Sequence, residues 1–159
     1  MKQTETPTPR VGEDPAADRT LRTSRWISAG PEQVYAALVA PERLARWWGP
    51  KGFRNTFEAF DPRPGGEWRF VMHGPNGADY PNQSVFEALV PGERVVIRHV
   101  SRPHFTLSVT LAAEGAGTRL TWRQCFESAA ECEAVRGIAA PANEENLDRL
   151  EAELARTSP

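Results

Sequence analysis

Three histidines, His73, His99 and His104, and two cysteines, Cys125 and Cys132, are the residue types in this chain best suited to hold a metal or move a proton. His99 and His104 lie five apart across an expected turn and can approach each other. No third ligand follows at a fitting spacing, so the pattern does not describe a zinc site. The cysteine spacing matches neither a metal pair nor a Cys-x-x-Cys redox pair, and both read as reduced thiols. No Ser, His and acid come together from spacing alone, and neither cysteine sits in a strand-to-helix elbow. The glycine pair in "RPGGEW" lacks the helix that a phosphate loop needs and reads as a hairpin turn. Glu144 and Glu145 are adjacent on an expected helix, so they diverge and read as a solvated face. No catalytic residue, metal or cofactor is assigned.

Two polar residues are placed where a ligand could use them. His99 shares a strand face with Val95 and Ile97, which makes it either an orienting group inside a cavity or a satisfied rim histidine. Gln124 falls in parity between Trp122 and Phe126, and a buried amide without partners loses roughly 1 to 3 kcal/mol. It must therefore bond a ligand, an ordered water or the backbone of the last helix. Around these two stand Trp47, Trp48, Phe53, Trp68, Phe70, Met72, Phe86, Phe105, Leu107, Trp122, Leu147 and Leu150. The rings either fill a core or line an apolar pocket.

The elements that would position them follow from periodicity. "TLRTSRWIS" suits a strand. "GPEQVYAALVAPERLARWWGP" reads as two short helices, with Pro31 and Pro41 at first helical positions and Glu32 and Glu42 near the positive dipole ends. Leu44, Trp47 and Trp48 give the second helix its apolar side, Gly49 its left-handed cap and Pro50 its stop. Adjacent helical residues diverge by ~100°, so one tryptophan should anchor the helix and the other face the enclosed space. The expectation is Trp48 as anchor and Trp47 toward the opening.

From there the period is two. Turns at "DPRPGGE", "GPNGADYP", "VPGER" and "EGAGT" separate strands such as "EWRFVMH", "FTLSVTL" and "TRLTWRQCF". Phe57 and Phe60 share a face only if a bulge intervenes, expected near Asp61 and Pro62. Ser128 and Glu131 form a capping box for a final helix, which Pro141 interrupts or kinks, and Leu147, Leu150 and Leu154 supply its apolar stripe. The fold expected is α+β: a curved antiparallel sheet of six to seven strands wrapped round a long C-terminal helix, with two short helices after the first strand.

With 159 residues, 40% of them hydrophobic and 25% charged, the chain has the profile of one globular domain. Residues 1–18 carry three prolines and no aromatic and read as a disordered tail, leaving the domain to 19–156. The formal charge is -2, and all but two of the 19 basic residues are scattered arginines, so nucleic acid is not an expected partner. No apolar run approaches the ~18 residues of a membrane span and no signal-type segment is seen, so the expected location is cytoplasmic.

Together, "PEQVYAALVAPERLARWWGPKGF", "DPRPGGEWRFVMHGPNGADYPNQSVFEALVPGERVV", "HFTLSVTLAAEGAGTRLTWRQCF" and "NLDRLEAEL" resemble the START-like helix-grip superfamily (SRPBCC). Within it, the chain resembles bacterial proteins related to the C-terminal domain of the activator of heat-shock-protein-90 ATPase. The resemblance covers roughly residues 20 to 155. It implies binding of a small hydrophobic or amphipathic molecule, a lipid included, between sheet and helix, by a monomer or homodimer. It also leaves open a stress-related co-chaperone role on a chaperone ATPase, or a polyketide-cyclase-like or dehydratase-like activity. Relatives commonly carry Gly-Trp before the last helical stripe; here stand Ala142 and Asn143, then Glu144 and Glu145. That implies a changed size and polarity at one cavity end. "HVSRPHF" also implies a shorter rim there.

Overall fold

The computed structural model describes residues 15–157. Most of the tail expected at 1–18 therefore lies outside the described residues. Its last part, 15–18, forms a turn leading into a short 3-10 helix, Ala17–Arg19, closed by Thr20 Oγ1 donating to Ala16 O at 2.7 Å.

Seven antiparallel strands make one sheet, in the order β1-β7-β6-β5-β4-β3-β2. They are β1 (Thr20–Ile27), β2 (Arg54–Phe60), β3 (Glu67–His73), β4 (Asp79–Val90), β5 (Arg94–His99), β6 (Phe105–Glu114) and β7 (Gly117–Phe126). β1 and β2 stand at opposite edges, so the chain between them must cross one face. Helices α1 (Pro31–Val39) and α2 (Pro41–Trp47) make that crossing, and α3 (Ala129–Thr157) packs with them.

The period-two residues decide which face is covered. Leu107, Val109 and Leu111 of β6 and Leu120, Trp122 and Phe126 of β7 are all buried, as are Trp68 and Phe70 of β3. Leu147 and Leu150 are fully enclosed, with Leu154 close behind, so the expected stripe of α3 is its core side. Removing such side chains from water is worth roughly 1.5 to 3 kcal/mol each.

Two bulges bend the sheet around this core. One falls between Phe57 and Ala59 and the other between Phe86 and Ala88. The first answers the parity conflict in β2: the extra residue is Glu58, not Asp61 or Pro62, and it brings Phe57 and Phe60 into a stack 5.5 Å apart. α3 starts at the expected cap, with Glu131 N donating to Ser128 Oγ at 3.1 Å. It continues through Pro141 as one helix, so the proline removes one helical donor without ending the element.

The tryptophan pair differs from expectation. α2 ends at Trp47, while Trp48 has extended backbone (φ -65°, ψ 135°) and Gly49 turns at φ +95°. The ~100° helical divergence therefore does not apply between them, and their roles are reversed. Trp47 is the anchor: it is 1% exposed, and its Nε1 donates to Ala37 O at 2.9 Å, tying α2 to α1. Trp48, half-buried, faces the enclosed space. Trp47→Phe should lower the unfolding free energy by about 1.5 kcal/mol through the stranded Ala37 carbonyl, and Trp48→Phe by less, read from denaturant midpoints.

Candidate functional site

Aromatic side chains fill only part of the interior. Trp68 sits at the centre of a packed group, 4.2 Å from Phe70 in a stacked arrangement, 5.4 Å from Phe57 and 5.9 Å from Phe60. Phe86 stacks 6.1 Å from Trp68, and Trp48 meets it edge-on at 4.9 Å. This half is solid. Toward β5, β6 and β7 a cavity of about 190 Å³ remains between sheet and α3.

Its walls come from five strands, α3 and two loops. Phe70 and Met72 arrive from β3, Asn82 from β4, His99 from β5, Phe105 and Leu107 from β6, and Trp122 and Gln124 from β7. Trp48, Gly49 and Pro50 close one side, Pro103 another, and Ala142, Asn143 and Asn146 of α3 cover it. Two larger clefts of about 590 Å³ each lie elsewhere on the surface, each bordered by three or more charged side chains. The smaller cavity is lined by none of Asp, Glu, Lys or Arg, and its rings give it the apolar body and few polar groups of a ligand site.

The Trp48 to Pro50 wall is held by side chains that reach the end of α2. A helix C-terminus leaves carbonyls without partners. Here Asn146 Nδ2 donates to Trp47 O at 3.0 Å, and Asn55 Nδ2 donates to Ala45 O and Trp48 O at 3.1 and 2.8 Å. Arg149 does more: its guanidinium donates to Arg46 O, Trp48 O, Gly49 O, Pro50 O and Phe53 O, all within 3.0 Å. Burial pulls its pKa below the ordinary arginine value. Glu145 Oε1 accepts from Lys51 N at 3.0 Å, which extends the clamp by one residue. A side chain at Gly49 would collide with the Met72 methyl at 2.7 Å, and positive φ adds strain, so this wall needs glycine.

His99 is a rim residue with its own partners. It is 7% exposed and lies flat on Phe105, 4.6 Å away. Its Nδ1 is 2.7 Å from Pro103 O and its Nε2 2.8 Å from Asn82 Oδ1, whose amide is oriented by Nδ2 donating to Tyr80 O at 2.7 Å. Burial is the largest influence on its pKa and lowers it from 6.5, favouring the neutral ring. In that form Nδ1–H serves Pro103, and the Ser101 hydroxyl, 3.4 Å from Nε2, can donate to the lone pair. His99 thus holds Pro103 through its single N–H, and its Nε2 has the Ser101 hydroxyl as donor while lying 2.8 Å from Asn82 Oδ1.

Gln124 has a different status. Its Oε1 accepts from Asn143 Nδ2 at 3.0 Å, while its Nε2 has no partner among the described residues. The indole nitrogen of Trp122 is buried and also without one.

Eight of the residues expected at the site meet on the cavity: Trp48, Phe70, Met72, His99, Phe105, Leu107, Trp122 and Gln124. Six do not line it. Trp68, Phe86, Leu147 and Leu150 are core beside or beneath it, Trp47 is the anchor between helices, and Phe53 packs against Tyr80 at 6.0 Å outside it. Asn82, Pro103 and Asn146 were missed. Asn82 shares parity with Ser84 and Phe86, and Asn146 lies three residues beyond Asn143 on one helix face, so both carried a signal. Glu144 and Glu145 diverge as expected but are not merely solvated: Glu144 pairs with Arg25 at 3.0 Å while Glu145 holds the Lys51 backbone. Among the described residues, no group of three His, Cys, Asp or Glu could hold a metal. No helix there is long and apolar enough to cross a membrane.

Comparison with known proteins agrees with this architecture. A protein from Chromobacterium violaceum is 28% identical, with 84% of this chain and 95% of that one covered at a TM-score of 0.76. One from Rhodobacter sphaeroides is 27% identical, covering 91% and 97% at 0.80. At 23% identity, a Nitrosomonas europaea protein shares the fold over 88% and 96% at 0.81. Among curated proteins, none matches the chain. The family described as "Activator of Hsp90 ATPase homolog 1-like protein" matches residues 28–155, which takes in β2 to β7, α1, α2 and α3 up to Ala155. The chain belongs to that family, in its START-like helix-grip form.

Proposed function

We propose that this protein binds a small hydrophobic or amphipathic molecule in the cavity between the sheet and α3. The observation that carries the reading is an uncharged cavity of about 190 Å³ walled by Trp48, Phe70, Leu107 and Trp122, with an amide donor left uncommitted at Gln124. Apolar burial supplies affinity at about 25 cal/mol per Å² before association costs, and the amides supply orientation.

Native mass spectrometry of the purified protein tests it. A co-purifying small mass is expected, and Ala142→Phe, which fills the space from α3 at little cost to helix propensity, should abolish it. A protein that carries no such mass and takes up no hydrophobic probe would remove the reading. A second reading follows from the family description, which names an activator of an ATPase. There the domain would raise the turnover of a heat-shock chaperone, and unchanged ATPase rates on its addition would end that reading.

A further inference from the structure

The cavity's uncommitted polar atoms are balanced, and none is charged. Asn143 Nδ2 donates to Gln124 Oε1 and Asn146 Nδ2 donates to Trp47 O. Among the described residues this leaves Gln124 Nε2 as a donor, and Asn143 Oδ1 and Asn146 Oδ1 as acceptors, while the Trp122 indole nitrogen is enclosed beside them. Asn143 and Asn146 are three apart on α3 and so share a face. The polar pole therefore suits a head that both donates and accepts.

An ionised head would fare badly. No Asp, Glu, Lys or Arg lines the space, and the neutral His99 gives its one N–H to Pro103 O and faces the Ser101 hydroxyl with Nε2. A charge buried there would surrender its water without a counter-charge. Size narrows the occupant further. The volume is about 190 Å³, and a cavity of about 150 Å³ is known to take a benzene ring. Long acyl chains do not fit a space of this size.

Resting on the reading that this cavity is the ligand site, we propose that its occupant is a neutral single-ring compound bearing one hydroxyl or carboxamide group. The ring lies among Trp48, Leu107 and Trp122, and the head meets the Gln124–Asn143 pair. Charged amphiphiles, fatty acids among them, are poor occupants.

The test is an NMR titration of the full chain at neutral pH, following the tryptophan indole N–H resonances, with phenol, benzamide, toluene, benzoate and dodecanoate as probes. Phenol and benzamide should bind with dissociation constants of about 1 mM or below and move the Trp122 indole signal. Benzoate should bind at least about tenfold more weakly. Gln124→Leu should weaken phenol about fivefold, the worth of one neutral hydrogen bond, and leave toluene unchanged. Toluene binding by the variant also reports that it has folded; should it not fold, the wild-type series decides alone. Benzoate or dodecanoate binding as tightly as phenol, or phenol indifferent to Gln124→Leu, would overturn the assigned chemistry while leaving the cavity as a ligand site. If no probe moves any indole signal, both this inference and the binding reading fall.

Discussion

Arg149→Leu should destabilise the protein by about 3 kcal/mol and loosen one wall of the cavity. The wild-type guanidinium donates to five backbone carbonyls between Arg46 and Phe53, each at 2.8 to 3.0 Å. A hydrogen bond from a charged donor contributes about 1.5 to 3 kcal/mol, but five on one group are not additive. The site is part-buried, so some of the stranded carbonyls recover water. That brings the expected total well below five times the single value. The favourable placement of a cation at the C-terminal end of α2 is lost as well, worth about 0.3 to 1 kcal/mol. Lysine cannot restore the arrangement, because a compact ammonium has three donors and no planar fork, so Arg149→Lys should recover less than half. Chemical denaturation gives the stability, and amide hydrogen exchange at residues 48–53 gives the local effect. A loss below about 1 kcal/mol, with exchange unchanged across that segment, would show that the loop holds its shape without Arg149.

Nothing in the sequence around "RWWGPKGF" announces that arginine. It lies 96 to 103 residues downstream of its acceptors, on the polar side of a helix whose apolar stripe was plain. The legible features are those set by short-range chemistry: prolines at first helical turns, the Ser128 cap, and alternation in β3, β6 and β7 with turns between them. They sufficed for the fold and for eight of the cavity's lining residues. What escaped depends on geometry across elements. The Trp47 and Trp48 roles reversed because Trp48 leaves the helix at ψ 135° before Gly49 turns at φ +95°, a change of one backbone angle that periodicity does not register. Trp68 and Phe86 have the right parity for a cavity, yet the bulges at Glu58 and Glu87 fold neighbouring rings over them. Parity identifies the inner face; only curvature decides where that face is filled and where it is left open. At Ala142 and Asn143 composition has a physical consequence: a small side chain and an amide cover the cavity from α3.

Acid should weaken the protein through one carboxylate more than any other. Glu153 on α3 has a side chain only 3% exposed and pairs with Arg46 at 2.8 Å, Arg43 at 3.3 Å and Arg156 at 3.3 Å. Arg46 holds it from two nitrogens, Nε at 2.9 Å and Nη2 at 2.8 Å, the fork arrangement that favours a carboxylate. The hydrogen bond from Arg46 is the largest cause, opposed by burial and aided by Arg156 and Arg43, and together they hold the carboxyl down to about 2 from its ordinary 4.5. Because the folded-state pKa lies below the unfolded one, the native state binds fewer protons between those two values. Its stabilisation is therefore complete above about pH 5 and is lost as pH falls from about 4.5 toward 2. The full shift corresponds to about 3 kcal/mol, and solvent screening of the partly exposed arginines reduces the expected loss to about 2 kcal/mol. Glu153→Gln should show that deficit already at pH 7, because Arg43 and Arg46 keep their place at the α2–α3 contact without the anion between them. Other acids titrate in both proteins, so the decisive quantity is the difference between wild type and variant at each pH. It should shrink toward zero by about pH 2. A difference that stays constant from pH 7 to pH 2 would mean that Glu153 contributes shape rather than charge, and that the three arginines do not set its proton affinity.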